Sequence, residues 1–155
     1  MQQQTKPIEI IKAGKGQIDD AYRIVDEYSQ AINVYVRDTR EDFGKYFEEG
    51  AGIWLALDGS EVVGCIAVRP LPQFAHACEV KRLYVKPAFR GRKIADQLLR
   101  ALHQYAAACG YQWCYLDSKS ELQTAIRFYF QQGYEECPRY NDNPEATIFL
   151  RYRLP

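Results

Sequence analysis

Residues 89 to 102 read FRGRKIADQLLRAL, a basic turn with one glycine that runs straight into an apolar stripe. Ile94, Leu98, Leu102, Tyr105 and Cys109 recur on one helical face, Leu99 and Ala106 widen it, and Gly110 stands in the C-cap position. Just ahead, ACEVKRLYV (77 to 85) is a β-rich run stopped by Pro87. A strand, a short loop holding Arg90, Gly91 and Arg92, and a helix opening near Lys93 make a generic anion receptor. The first-turn N–H groups lack intrahelical acceptors, and the helix dipole favours negative charge there. Gly91 lets the backbone approach closely, while Arg90, Arg92 and Lys93 add charge. A solvated basic helix start is the plainer reading of the same residues.

Working outward, Pro7 to Ala13 reads as a first strand ended by Gly14 and Gly16. Ile18, Ala21, Tyr22, Val25, Tyr28 and Ile32 then recur at helical spacing, and a second helix is expected over Thr39 to Glu49, where Thr39 and Asp42 form an approximate capping box. IWLAL and VVGCIAV are strands joined by the hairpin residues Asp58-Gly59-Ser60-Glu61. After the basic loop and its helix come a strand, WCYLD (113 to 117), and a helix from Leu122 to Gln132 closed by Gly133. Strands around Tyr134 to Cys137 and Ala146 to Arg153 complete the chain. Hairpins followed by βαβ crossovers imply an α/β fold, with one mixed α+β sheet of about seven strands and four helices on its faces. Nothing reads as a linker or repeat, so residues 1–155 are expected to form a single domain with a flexible N-terminus over 1–6.

Charge and cysteine usage narrow the function. The 20 basic residues equal the 20 acidic ones, so no global field gathers nucleic acid, and any anion site is local. Five cysteines, an odd number without a CxxC pair, argue against a disulfide framework and a structural zinc site; with two histidines, no metal centre is expected. No stretch approaches the roughly 18 apolar residues of a membrane span, and a reducing, cytoplasmic setting without a membrane partner fits best.

RGRKIA (90 to 95), following a strand and opening a helix, resembles the R/Q-x-x-G-x-G/A motif of the GNAT acetyltransferases. Val85-Lys86-Pro87-Ala88-Phe89-Arg90-Gly91 is similar to the family's V-x-P-x-x-R-G lead, with one position more than its shortest version. Ala125 to Tyr134 (AIRFYFQQGY) is similar to its A-x-x-x-Y-x-x-x-G-F/Y segment, and the element order resembles the family over residues 7 to 154. The resemblance implies a GNAT-like acyl-CoA N-acyltransferase fold, acetyl-CoA as cosubstrate without a metal, a small-molecule amine acceptor and a possible homodimer. It further implies that backbone around Leu83, Tyr84 and Val85 holds the pantetheine and polarises the thioester, and that Arg90, Gly91, Arg92, Lys93, Ile94 and Ala95 grip the pyrophosphate.

Two departures stand out. Lys93 occupies the motif's first glycine, which is tolerable if it adopts ordinary helical angles with its side chain outward. Leu122 replaces an asparagine, so Ser118 or Ser120 is expected to supply that cofactor contact.

The resemblance places Tyr129 as the general acid for the departing thiolate and Glu79 as the general base. Tyr129 also shares an apolar helix face with Leu122, Ala125 and Ile126, as a core tyrosine would. By simple alternation Glu79 shares a face with Lys81, Leu83 and Val85, and a salt bridge to Lys81 or a nearby arginine is its alternative role; a bulge would change the facing. Asp117 either receives a cationic amine or caps a turn. Tyr140-Asn141-Asp142-Asn143-Pro144 resembles a Y-x-x-N-P segment of one subgroup and is either substrate contact or a turn. The expected activity is acetyl transfer to a primary amine of a small or amino-acid-like molecule. A non-catalytic acyl-CoA-binding module and a protein N-acetyltransferase are the alternatives.

Overall fold

A computed structural model describes residues 7–32 and 39–155, so the N-terminal stretch expected to be flexible lies outside the described residues. Seven strands form one sheet: β1 (Glu9–Lys12), β2 (Gly52–Asp58), β3 (Glu61–Pro70), β4 (Ala77–Val85), β5 (Trp113–Ser118), β6 (Glu135–Glu136) and β7 (Ile148–Arg153). The helices are α1 (Ile18–Ala31), α2 (Arg40–Phe43), α3 (Ile94–Ala108) and α4 (Gln123–Gln131). The strand order is β1-β2-β3-β4-β5-β7-β6, with every pairing antiparallel except β4 with β5. The expected mixed sheet with four helices is therefore the one formed.

Each sheet face buries its own core. Leu98, Leu99 and Leu102 of α3, with Tyr129 of α4, pack on Val63, Ile66 and Val80. On the opposite face Ala21, Ile24 and Val25 of α1 and Phe43 of α2 cover Ile53, Cys65 and Ala67. The stretch expected as one helix over Thr39 to Glu49 is a single turn, α2, followed by a 3-10 turn over Gly44–Phe47. Thr39 Oγ1 accepts the Asp42 N–H at 3.1 Å, as the capping pattern predicts. The tighter turn lets Phe43 and Tyr46, three residues apart, enter the same core with ring centroids 5.7 Å apart.

Two irregularities in β4 position everything that follows. Cys65 lies opposite Tyr84 while Ala67 lies opposite Lys81, so Arg82 and Leu83 together face Ile66 and form a bulge, with Arg82 at φ 62°. Simple alternation fails at that point. Lys81 stays on the α1 face opposite Ala67, and Glu79 sits on that face two residues earlier; Leu83 and Val85 have crossed to the α3 core, leaving Tyr84 on the α1 side. The shared face expected for Glu79, Lys81, Leu83 and Val85 is thus divided in two. The second irregularity is the seam with β5, which pairs Ala77 with Trp113, Cys78 with Cys114 and Glu79 with Tyr115. Beyond Glu79 and Tyr115 the two strands part.

Candidate active site

The parted strands open toward the start of α3, and the chain builds an anion cradle there. Val85 closes β4, its carbonyl accepts Arg90 Nε at 3.1 Å, and Lys86 N–H donates to Val63 O on the β3 side. By alternation the peptide groups of Val85 then point away from β3, toward the parted strands. Gly91 has φ 84° and open space where a Cβ would stand, and Lys93 has φ 59°. The ordinary helical angles expected of Lys93 are therefore not what the loop adopts: as N-cap of α3 it is left-handed, the conformation glycine takes without strain. The physical reason is the turn itself, which reverses direction at 91 and again at 93 before Ile94 starts the helix. Left-handed residues at 91 and 93, alternating with Arg92, gather N–H groups into a concavity for anions, and those of Ile94 and Ala95 add the orphan donors of the first turn. With Arg90 and Lys93 exposed and Arg92 lying 5.6 Å from the Phe89 ring, the residues present fit a diphosphate.

On the α1 face at the root of the opening, four charged side chains interlock. Glu79, 1% exposed, accepts Arg69 Nε at 2.9 Å and has Arg69 Nη2 at 2.8 Å, both on Oε1; Tyr140 donates to Oε2 at 2.6 Å. Lys81 Nζ lies 3.9 Å from Glu79 and 3.8 Å from Asp117 across the parting strands. Asp117 Oδ2 in turn accepts the amides of Asn141 at 2.7 Å and Asn143 at 3.3 Å. Burial holds Lys81 below its ordinary pKa, opposed by Glu79 and Asp117. Burial, then the adjacent Glu79 carboxylate, pushes the Tyr140 phenol well above its usual range, so it stays a donor at neutral pH.

Tyr129 is buried in the α3 core beside Phe128 and Tyr134, with ring centroids 5.5 and 5.3 Å away. Burial raises its pKa far above 10, and its next largest perturbation comes from Tyr28 of α1, on the other sheet face. Tyr28 itself is pushed up to about 12 by burial.

Ser118 ends β5 at the far lip of the opening. Ser120 is instead engaged with Thr147, whose Oγ1 lies 2.9 Å from its hydroxyl. Leu122 caps α4 without a side-chain bond. Of the expected site residues, Leu83 to Val85 and Ser118 lie on the two strands that part, Glu79 is the last β4 residue paired with β5, residues 90 to 95 join β4 to α3, and Tyr129 lies in the α3-face core. The salt bridge expected as the alternative role of Glu79 is made to both Lys81 and an arginine; that the arginine is Arg69 follows only from the β3–β4 register, which sets it opposite Glu79. The Tyr140–Asn143 tail returns from 61 residues away to Glu79, a distance over which periodicity is silent.

Among the described residues no three His, Cys, Asp or Glu side chains converge as a metal site would need. All five thiols are unbridged, and no helix among the described residues is long and apolar enough to cross a membrane.

Comparison with known proteins bears on the family and the fold. Residues 49–136 match the model of the acetyltransferase (GNAT) domain. The chain is 31% identical over 145 residues to an uncharacterised N-acetyltransferase of Schizosaccharomyces pombe, covering 88% of each. It is 33% identical over 90 residues to N-acetyltransferase 8 of Mus musculus, covering 56% of this chain and 40% of that one. Among solved structures, a GNAT-family acetyltransferase from Staphylococcus aureus superposes with a TM-score of 0.84 at 19% identity, over 96% of this chain and 100% of that one. N-acetylglutamate synthase from Neisseria gonorrhoeae, complexed with coenzyme A and N-acetyl-glutamate, superposes at 0.79 and 15% identity, over 98% of this chain and 36% of that one. At these identities the structural likenesses speak for the fold.

Proposed function

The chain belongs to the GNAT acetyltransferase family, and we propose that it transfers an acetyl group from acetyl-CoA to the primary amine of a small-molecule or amino-acid-like acceptor by direct attack. The observation that carries this reading is the parting of β4 and β5 beyond Glu79 and Tyr115, with the anion cradle of residues 91 to 95 at its mouth and titratable groups at its root. What favours a small acceptor is the crowding of that root, where Tyr140 is boxed by Phe74, Tyr115 and Phe149 with ring centroids 5.3 to 6.2 Å away.

Acetyl-CoA, when bound, supplies the acetyl group as a thioester and leaves as the free thiol. The N–H groups of residues 91 to 95, with Arg90, Arg92 and Lys93, hold the diphosphate. Backbone of Leu83, Tyr84 and Val85 lines the thioester arm and donates to its carbonyl, and Ser118 supplies a polar contact on the opposite lip. Tyr129, kept neutral by burial, gives its phenolic proton to the departing sulfur as the new carbon–nitrogen bond replaces the carbon–sulfur bond. Glu79 accepts the amine proton through the Tyr140 hydroxyl, which already donates to its Oε2. Preformed ionic partners keep these groups oriented before any ligand arrives.

The test has two stages: thermal shift with coenzyme A and acetyl-CoA, then release of free thiol over a panel of amines. A raised Tm with acetyl-CoA and thiol release dependent on an amine are expected. Binding without release against every amine would refute the reading and leave an acyl-CoA-binding module.

A further inference from the structure

At the root of the opening the anions are spent and one cation is not. Glu79 is 1% exposed and neutralised by Arg69 and Lys81; Asp117, its side chain 9% exposed, is held by Lys81 and two asparagine amides. Neither carboxylate is accessible and uncompensated, as capture of a second cationic group on an acceptor requires. Arg69 differs: its side chain is 48% exposed although it pairs with Glu79. A guanidinium carries five N–H donors in a planar fork. Arg69 commits Nε and Nη2 to one oxygen of Glu79, so the Nη1 edge takes no part in that pair, and the Tyr46 phenol is a further electrostatic neighbour of the guanidinium. That edge is the geometry that grips a planar carboxylate.

The geometry points to Arg69 as a specificity-determining residue that pairs with a carboxylate on the acceptor, so that the substrates are amino acids or compact amino-carboxylates and not polyamines, simple monoamines or lysine side chains within proteins. This rests on the acetyl-transfer reading above and narrows its acceptor class. Spacing supports it. Arg69 sits on one oxygen of Glu79 and Tyr140 on the other, so the guanidinium and the phenol lie within roughly 8 Å of each other. A carboxylate held at the first and an amine reaching the second belong to one small molecule. Tyr140 fixes the same carboxylate that fixes Arg69, which makes the fork preorganised; little ordering remains when the acceptor arrives.

The experiment measures thiol release by the wild-type protein with matched sets of acceptors: free amino acids of varied side chain, their carboxamides, their decarboxylated amines, and a diamine. The amino acid should exceed its carboxamide by about tenfold to a hundredfold in kcat/KM, the range of a charge-assisted hydrogen bond. In Arg69→Gln that ratio should fall toward one. Because Arg69→Gln strips Glu79 of a partner and could unfold, the wild-type comparison stands alone as a test. Equal or better turnover of carboxamides, decarboxylated amines or the diamine overturns the Arg69 assignment and leaves acetyl transfer intact. No thiol release with any member, despite a raised Tm with acetyl-CoA, overturns both.

Discussion

The hydroxyl of Tyr140 reaches Glu79 Oε2 at 2.6 Å, tying the segment before β7 to the middle of β4. A buried carboxylate that loses a donor bears the desolvation of the orphaned oxygen. Tyr140→Phe should therefore cost about 1.5–3 kcal/mol in urea unfolding. It should also lower kcat, because the proton relay from the amine to Glu79 is broken, while leaving KM for acetyl-CoA unchanged. Wild-type stability and kinetics in this variant would remove the tie from both roles.

Tyr129→Phe should separate chemistry from packing. Tyr129 packs through its ring against Phe128 and Tyr134, contacts that phenylalanine keeps, so Tm should move by only a few degrees. Loss of a general acid lowers kcat by about 10²- to 10⁴-fold. Unchanged turnover would make Tyr129 a core residue and nothing more.

The phosphate cradle depends on backbone shape as well as charge. Gly91→Ala places a Cβ on a backbone at φ 84° and should destabilise by about 1–2 kcal/mol while raising KM for acetyl-CoA. Lys93→Gly relieves strain at φ 59° but frees the unfolded chain, so stability should change by less than about 1 kcal/mol. Its KM for acetyl-CoA should rise less than that of Gly91→Ala. The opposite ranking in KM would mean that the lysine charge, and not the turn, makes the grip.

Lys81 gives stability a pH dependence of known sign. Burial places its folded pKa below the ordinary 10.5, so the unfolded chain holds this proton more firmly than the folded one. Below the folded value this penalty is fully present, and it disappears as pH rises toward 10.5. The stability of wild type relative to Lys81→Met should therefore grow in urea titrations run from pH 7 to pH 10. A flat difference would show that the proton is not linked to folding.

Local signals made most of the architecture legible. Gly59 and Ser60 between two apolar runs, the α3 stripe from Ile94 to Ala106, and Gly133 after α4 each specify their element with few neighbours involved. The cradle was equally readable because strand, loop and helix are contiguous. Glu79 was visible as a residue but not as an environment. Its partners arrive from Arg69 on β3 and Tyr140 beyond β6, through a register and a returning loop that no local pattern encodes. Lys93 failed differently: its residue type argued for ordinary angles, and the turn geometry prevailed over that preference.

The bulge at Arg82 gives β4 two opposite parities, one on each side of a single extra residue. Between Lys81 and Tyr84 the chain is thus constrained in length more tightly than in identity. Removing one residue would turn Leu83 and Val85 out of the α3 core or swing Lys81 and Glu79 into it, depending on which half kept its register. Substitutions there are local events, but a one-residue deletion is a reassignment of faces. In descendants of this chain, sequence drift in the segment should outpace any change in its residue count.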